Sequence, residues 1–325
     1  MNNHVLMVTT PGPPEALTWT ECEVSVPGPG EVLLKQAAVG LNFIDVYHRM
    51  GLYPQALPFT PGMEAAGTVE AVGAGVTRWQ PGDRVAYAGA IGAYAERRVV
   101  AADTLVGVPD GITVEQAAAV LLQGMTAQML LKQVTTIRAG DTILVHAAAG
   151  GVGLILCQWA AALGATVIGT VSTRAKAELV RAHGCAHPVV TGDGEDFVAV
   201  VDQLTGGTKL PVVYDSVGAD TFLRSLDCLR PRGLMVSFGQ VSGPVAPFSP
   251  LLLSQKGSLF LTRPTLFNYT DTPATLAAAA ADLWSAIERG IVHVTIGQSY
   301  PLRDAARAHA DLEARRTTGS TVLVP

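Results

Sequence analysis

A run of small residues joins an apolar strand pattern to a helical pattern near the middle of the chain. Residues 147–153 read Ala-Ala-Ala-Gly-Gly-Val-Gly, and the helical pattern begins at Leu154. The spacing is that of a G-x-G-x-x-G turn with Ala148 at the first glycine position. Such a turn lets a phosphate approach backbone N–H groups at the positive end of a helix. It therefore predicts a dinucleotide site, with a purely structural glycine-rich turn as the alternative. The predicted contacts are Gly150, Gly151, Val152 and Gly153.

The end of the following strand pattern carries hydroxyls and cations where a carboxylate could stand. An NAD site places an acidic residue about 20 residues after the turn, where it binds the ribose hydroxyls. Residues 171–176 read Val-Ser-Thr-Arg-Ala-Lys and contain no such residue. The hydroxyls of Ser172 and Thr173, with the ammonium group of Lys176, suit a dianionic 2′-phosphate. The segment predicts NADPH, and an ordinary capped helix with a solvated basic face is the alternative.

The elements that would carry these residues alternate as parallel βαβ units require. Six apolar strand patterns, separated by helical stretches, predict a doubly wound Rossmann sheet. They lie at residues 142–146, 166–171, 188–190, 212–215, 234–239 and 259–262. Earlier strand patterns predict a mostly β domain. These lie at 5–9, 31–39, 66–72, 84–88 and 94–99.

The tail is too short for its own core, so it should fold back onto the first domain. Its pattern predicts helices at 272–289 and 302–315 and strands at 292–296 and 321–324.

Size, charge and cysteine content exclude several classes of protein. A chain of 325 residues favours two domains. The formal charge of −5 without a Lys/Arg run argues against nucleic-acid and anionic-membrane partners. No apolar run approaches the length of about 20 residues that spans a bilayer, and no signal pattern opens the sequence, so we expect a cytoplasmic protein. The four cysteines are scattered, which predicts reduced thiols rather than disulfides or a structural zinc site.

Motifs along the whole chain resemble those of the medium-chain dehydrogenase/reductase superfamily, and within it the zinc-independent, zeta-crystallin-like quinone oxidoreductases. The motifs are GLNFIDVY (40–47), PGMEAAG (61–67), PGDRV (81–85), HAAAGGVG (146–153), VYDSVG (213–218), RGLMVSFG (232–239), YPL (300–302) and AHADLE (308–313). The resemblance implies an α/β fold, a doubly wound Rossmann sheet inserted into a GroES-like, mostly β catalytic domain. The expected boundaries are 1–125 and 264–325 for the catalytic domain and 126–263 for the NADPH domain. A cleft between the domains and a homodimer are also implied.

The zinc-dependent alcohol dehydrogenases of that superfamily carry Cys and His where this chain has Asn42 and Met63. They also contain a four-cysteine lobe that follows the strand ending near Ala88 here. Without thiolate and imidazole ligands a tetrahedral zinc site is not expected, so Lewis-acid activation of an alcohol is excluded. The resemblance thus indicates metal-free chemistry.

The resemblance also assigns site residues. It implies that Asn42, Asp45 and Tyr47 are catalytic residues that also contact the cofactor, and that Asn42, Tyr47 and Tyr53 contact the substrate. Beyond the turn and the 2′-phosphate residues, the implied cofactor contacts are Thr126, Ser216, Phe238, Gly239, Ser242, Arg263 and Arg315. Relatives often place a Tyr after the third Rossmann strand, where this chain has Thr191 and Gly192. We therefore expect weaker cofactor affinity or selectivity at that position.

Few residues are candidates for acid–base chemistry. Reduction of a quinone leaves oxygens that can take protons from water or a nearby hydroxyl, so a strong general acid is not needed. Tyr47 could donate a proton and Asn42 could hydrogen-bond the acceptor carbonyl, although both could equally be cofactor contacts. His146 is expected to satisfy local groups, His309 has no evident partner, and Glu64 is expected to anchor a barrel turn.

The function implied by the resemblance is an NADPH-dependent quinone reductase that transfers hydride without a metal. An alkenal or enone double-bond reductase needs the same hydride delivery and is the first alternative. An NADPH-binding RNA-associated or structural protein is the second, and the acidic composition argues against it.

Overall fold

The strands and helices of the chain are seen in a computed structural model that describes residues 2–325. Within these residues the fifteen strands are β1 Asn2–Val8, β2 Leu17–Glu23, β3 Glu31–Leu41, β4 Glu64–Val72, β5 Arg84–Ala88, β6 Arg97–Ala101, β7 Leu105–Gly107, β8 Thr142–Val145, β9 Thr166–Val171, β10 His187–Val190, β11 Leu210–Asp215, β12 Leu229–Ser237, β13 Phe260–Thr262, β14 Ile296–Pro301 and β15 Ser320–Val324. The described part of the chain contains nine α-helices, which are α1 Phe43–Arg49, α2 Val114–Met129, α3 Gly151–Ala162, α4 Arg174–Ala182, α5 Phe197–Thr205, α6 Phe222–Ser225, α7 Leu251–Gln255, α8 Pro273–Glu288 and α9 Ala305–Glu313. None of these helices is both long and apolar enough to cross a membrane.

The chain divides into two units. Unit 1 consists of residues Met1–Met125, Thr270–Glu288 and Val294–Pro325, and unit 2 of Thr126–Tyr269 and Arg289–His293. Unit 2 therefore extends past the expected boundary at residue 263, and it also takes a short segment near residue 290.

Unit 1 is built on a seven-stranded sheet centred on β3. The strand order is β14-β15-β3-β4-β5-β7, and β6 also pairs with β3. All pairs are antiparallel except β14 with β15. The core beneath the sheet combines apolar side chains from early and late parts of the sequence, including Leu34, Tyr87, Leu302 and Leu323. Burial of these side chains on one face stabilises a sheet whose strands come from both ends of the chain.

Unit 2 contains a six-stranded, all-parallel sheet with the order β10-β9-β8-β11-β12-β13. Numbered from the first strand, this order is 3-2-1-4-5-6, the doubly wound arrangement. The strand order reverses between β8 and β11, and His146 N–H donates to the Tyr214 carbonyl at this point. Ligands of such folds bind outside the carboxyl ends of the strands at the reversal, which is where residues 147–153, the candidate phosphate turn, follow β8.

One predicted strand is wrong. The β-branched pattern at 292–296 predicted a strand, but β14 begins only at Ile296. Val292 is buried, and the neighbouring backbone is bonded by a side chain. His293 N–H donates to Gln158 Oε1 at 2.7 Å, and Gln158 Nε2 donates to the His293 carbonyl at 3.3 Å. A glutamine amide thus takes the place of a neighbouring strand.

Candidate functional site

The turn between β8 and α3 has the backbone geometry that phosphate binding requires. Ala147 adopts a left-handed conformation with φ of 51°. Gly150 is the N-cap of α3, and no side chain caps the helix start. A Cβ atom at position 153 would lie 2.4 Å from the Ala147 carbonyl oxygen, so only glycine fits there. The helix start is bare, and its dipole and N–H groups suit the pyrophosphate of a dinucleotide.

His146 is a structural anchor of this turn. Its Nδ1 lies 3.0 Å from Thr170 Oγ1 and its Nε2 lies 2.8 Å from Ser225 Oγ. Ser225 donates its proton to the Thr221 carbonyl, so Ser225 Oγ accepts from His146 Nε2–H. Thr170 Oγ1 in turn accepts from Ala147 N–H at 3.3 Å. Burial lowers the pKa of His146, and the neutral ring holds the turn in place.

The residues expected at the 2′-phosphate lie together where β9 meets α4. Thr173 is the N-cap of α4, and its Oγ1 accepts the Lys176 backbone N–H at 3.3 Å. The guanidinium of Arg174 is bound to Asp193 at 2.8 Å on the exposed surface. A Cβ atom at Gly192 would lie 2.0 Å from the Ser172 carbonyl oxygen. A side chain at position 192 would therefore require the backbone of Ser172 to shift.

The later strand ends form a bonded cluster. Asp215 accepts N–H groups from Val217 and Gly218 at 2.7 and 3.1 Å, which shapes the turn after β11. Arg263 Nη1 donates to the Gly239 carbonyl at 2.7 Å. Ser242 Oγ donates to the Val217 carbonyl at 2.9 Å. Backbone packing is tight, since a Cβ atom at Gly239 would lie 2.5 Å from the Ser216 carbonyl oxygen. The candidates Ser216, Phe238, Gly239, Ser242 and Arg263 thus occupy adjacent strand ends.

In unit 1, Asn42 is held by hydrogen bonds on three sides. It is the N-cap of α1, and its backbone N–H donates to Asp45 Oδ2 at 3.0 Å. Its Nδ2 donates to Glu64 Oε2 at 2.9 Å, and its Oδ1 accepts from Gln123 Nε2 at 3.1 Å. Gln123 is fixed by Ser320, whose hydroxyl donates to Gln123 Oε1 at 2.7 Å. The Asn42 amide therefore has a set orientation, with one donor already engaged.

Two fully buried carboxyl groups flank Asn42. Desolvation raises the pKa of Asp45 to about 7, although hydrogen bonds from the Asn42 backbone and Tyr94 oppose the rise. Desolvation likewise raises the pKa of Glu64 to about 8. Glu64 was expected to anchor a turn, which is wrong. It bonds the Leu122 backbone N–H as well as Asn42, and it links α2 to the start of α1.

The aromatic candidates follow on α1 and the next loop. The rings of Tyr47 and Tyr53 meet edge to face with centroids 5.3 Å apart. The Tyr53 backbone N–H donates to the Tyr47 carbonyl at 3.1 Å, so the loop is fixed to the end of the helix. Tyr47 is largely buried and Tyr53 is partly exposed. The structure thus brings Asn42, Asp45, Tyr47 and Tyr53 together within unit 1.

The remaining candidates are Thr126 and Arg315. Thr126 lies in α2 and is the first residue of unit 2. Arg315 follows α9 in unit 1 and has a left-handed φ of 58°. Met63, at the position where a zinc-dependent relative would carry His, is buried. Within residues 2–325, no group of three or more His, Cys, Asp or Glu side chains is placed to hold a metal ion.

A second buried cluster beside α1 was not expected from the sequence. His309 has partners after all, because it bonds both Arg49 and Tyr94, and Arg49 also binds Glu313. These residues are separated by up to 264 positions, so no local pattern could have revealed their contact.

Comparisons with known proteins cover both units. The family described as alcohol dehydrogenase GroES-like domain matches residues 28–110, and the family described as zinc-binding dehydrogenase matches residues 151–279. Quinone oxidoreductase of Pseudomonas aeruginosa is 56% identical over 97% of each chain. The 2-haloacrylate reductase of a Burkholderia species is 44% identical over 97% of this chain and 96% of its own.

Similarity in structure is equally extensive. The crystal structure of Escherichia coli quinone oxidoreductase complexed with NADPH has a TM-score of 0.97 and 47% identity, covering 99% of this chain and 100% of that chain. Identity above half with a relative of equal length leaves no doubt about ancestry, and the two family matches identify both parts of the fold. The chain therefore belongs to the quinone oxidoreductase family of the medium-chain dehydrogenases/reductases.

Proposed function

We propose that this protein is an NADPH-dependent quinone reductase that works without a metal ion. The observation that carries the proposal is the 56% identity, over nearly the full length, with a quinone oxidoreductase. The start of α3, which no side chain caps and where only glycine fits at position 153, supports dinucleotide binding independently of that similarity. Bound NADPH would supply the hydride, and the protein would orient the acceptor and exclude water.

We assign the cofactor contacts from the chemistry of each region. Gly150, Gly151, Val152 and Gly153 would bind the pyrophosphate through the helix start. Ser172, Thr173 and Lys176 would bind the 2′-phosphate, while Arg174 is engaged by Asp193. The further contacts proposed are Thr126, Ser216, Phe238, Gly239, Ser242, Arg263 and Arg315.

Acceptor binding is assigned to unit 1. The edge-to-face rings of Tyr47 and Tyr53 offer an aromatic surface for a flat quinone. Tyr47 would supply a hydroxyl for proton transfer to a reduced oxygen. Asn42 would serve chiefly by holding the start of α1, because its amide is already bonded by Glu64 and Gln123.

The direct test is turnover. Purified protein should oxidise NADPH in the presence of ortho- or para-quinones. The reaction is monitored by the loss of the near-ultraviolet absorbance of the reduced nicotinamide. The same assay should include 2-haloacrylate and simple enones, because the 44% identity with a 2-haloacrylate reductase favours reduction of an activated double bond as the second candidate. Turnover with these alkenes and with no quinone would replace the first proposal by the second.

A homodimer and a cytoplasmic location complete the proposal. Strand β13 lies at the edge of the parallel sheet and exposes Phe260 and Leu261, which would suit pairing with a second copy. Light scattering after size exclusion should give twice the chain mass, and Phe260→Lys should give the single mass.

A further inference from the structure

A series of buried hydrogen bonds leads from α9 to the start of α1 within unit 1. Arg49 Nη1 lies 2.9 Å from His309 Nδ1, and His309 Nε2 lies 2.8 Å from the Tyr94 hydroxyl oxygen. The Tyr94 hydroxyl lies 3.1 Å from Asp45 Oδ2. At the outer end, Arg49 binds both carboxylate oxygens of Glu313, at 2.9 and 3.0 Å. The four inner side chains are fully buried, whereas Glu313 is partly exposed.

The chemistry of the groups gives this series one direction. A guanidinium group can only donate, so His309 Nδ1 accepts from Arg49. Burial and the charge of Arg49 lower the pKa of His309 to about 3, so the ring is neutral and carries its single proton on Nε2. That proton is donated to the Tyr94 oxygen, and the Tyr94 hydroxyl is left to donate to Asp45. The three hydrogen bonds between Arg49 and Asp45 therefore all point toward Asp45.

Asp45 needs such support to stay ionised. Its Oδ2 accepts the N–H of Asn42 at the start of α1, and its Oδ1 is buried without a hydrogen-bond partner in the protein. Desolvation favours the protonated form, whereas donors on Oδ2 favour the carboxylate. Hydrogen bonds from the Asn42 backbone, the Tyr94 hydroxyl and the Met63 backbone lower the pKa of Asp45. The other titratable or charged groups nearby are Glu64 from β4, Arg49 from α1 and His309 from α9. Of the donors to Asp45, Tyr94 supplies a side-chain hydroxyl, and the series from Arg49 through His309 sets the direction in which that hydroxyl donates.

We propose that Tyr94 and His309 are positioning residues, which keep Asp45 as the acceptor that caps α1 and so hold Asn42 and Tyr47 in their working arrangement. The role of Asn42 and Tyr47 rests on the proposed function. The series also fixes the end of α9, because Arg49 binds Glu313 two positions before Arg315. The series thereby joins α1, which begins next to Asn42, to α9, which ends two residues before Arg315.

A purely structural Tyr94 would act like any other buried tyrosine, and unit 1 provides one for comparison. Tyr87 is equally buried, and its hydroxyl donates to Gln36 Oε1 at 2.5 Å and accepts from Arg98 Nη1 at 3.2 Å. Tyr94→Phe and Tyr87→Phe each remove one buried hydroxyl from the same core. Only Tyr94→Phe removes a donor from Asp45.

The test measures protonation of the carboxyl group and the pH profile of turnover in the full-length protein. Infrared difference spectra across pH, with the Asp45 band identified by its loss in Asp45→Asn, report the pKa directly. Tyr94→Phe should raise the pKa of Asp45 by about one unit, the effect of one hydrogen bond to a charged group. The acidic limb of kcat should shift upward by the same amount, while the KM for NADPH changes less than twofold. Tyr87→Phe should leave unchanged both the pKa of Asp45 and the pKa of the acidic limb of kcat.

A second pair of variants guards against simple loss of folding. In His309→Gln, Oε1 can accept from Arg49 and Nε2 can donate to Tyr94, so the series is retained and the wild-type profile is expected. His309→Leu interrupts the series and should shift the profile as Tyr94→Phe does. An unchanged Asp45 band in Tyr94→Phe, or an equal shift in Tyr87→Phe or His309→Gln, would overturn the proposal. If no quinone is reduced at all, the proposed function fails while the infrared comparison still decides the role of the series.

Discussion

Two glycines of the phosphate turn should respond in opposite ways to the same substitution, Gly→Ala. At position 153 the new Cβ atom would lie 2.4 Å from the Ala147 carbonyl oxygen and 2.7 Å from the Ala148 carbonyl carbon, against an ordinary contact of at least 3.4 Å. Both neighbours are backbone atoms, so the strand end and the helix must move apart by roughly 1 Å. Overpacking of this kind costs about 3 kcal/mol. For a cooperative unit of this size, the Tm should fall by roughly 6–12 °C.

At position 150 the same methyl group meets only the Ala147 carbonyl oxygen, at 3.3 Å. The backbone angles, φ −78° and ψ 171°, are open to alanine. Replacing glycine by alanine at an N-cap costs about 1 kcal/mol or less, so Gly150→Ala should fold nearly normally. The methyl group would, however, stand where the pyrophosphate approaches α3. We expect the Kd for NADPH to rise at least tenfold, which corresponds to about 1.4 kcal/mol.

Thermal unfolding followed by circular dichroism, and calorimetric titration with NADPH, separate the two effects. Unchanged NADPH affinity in Gly150→Ala would show that the start of α3 is not the phosphate site. Wild-type stability in Gly153→Ala would show that the turn accommodates a Cβ atom at position 153 without overpacking. Either result would refute the geometric reasoning for that glycine.

Two further predictions concern charge. Lys176→Ala should raise the KM for NADPH roughly fivefold to tenfold and the KM for NADH less than twofold. Arg174→Ala is the matched control. It should raise the KM for NADPH less, because the guanidinium of Arg174 is bound to Asp193. Equal changes for both cofactors would contradict the 2′-phosphate assignment. Glu64, whose pKa rises to about 8 on folding, binds more protons in the folded than in the unfolded state, so its contribution to stability declines as the pH rises from about 5 to 8. Glu64→Gln should remove a slope of about 1.4 kcal/mol per pH unit, measured by urea unfolding across this range, and an unchanged slope would show that Glu64 is ionised in the folded protein.

Local patterns predicted the elements whose signals are local. The alternation of apolar strands and helices predicted the Rossmann sheet, and the strand patterns at 84–88 and 166–171 match β5 and β9 residue for residue. The helix expected at 272–289 is α8. Strand β2 was missed because most of its side chains are polar and only Leu17 is buried, so it has no apolar face. It pairs only with β1. The segment at 292–296 misled because Val292 is buried by packing and the backbone of His293 is bonded by Gln158 instead of a strand.

The site residues were likewise predictable where their signals are local in the sequence. The phosphate turn and the start of α4 were visible because their residues are consecutive. The resemblance supplied Asn42, Asp45 and Tyr47, yet neither it nor the spacing indicated that Glu64 is fully buried beside them. Arg49, Tyr94 and His309 come from α1, a loop and α9, and only the folded chain brings them into contact. Hydrogen bonds over such separations depend on how distant segments pack together, which composition and periodicity do not encode.

The central position of β3 has a consequence for synthesis. One edge of β3 pairs with β15, so Val39 and Leu41 lie opposite Leu323 and Thr321. The core beneath it also needs Leu302, Ala305 and Ala308 from α9 and the residues just before it. The ribosome must therefore synthesise β15 and α9 before the sheet and core of unit 1 can be completed, although β3 of that unit is synthesised early. The Rossmann unit, almost continuous in sequence, has all but five of its residues available earlier, and the unfinished edge of β3 stays open to other strands throughout translation.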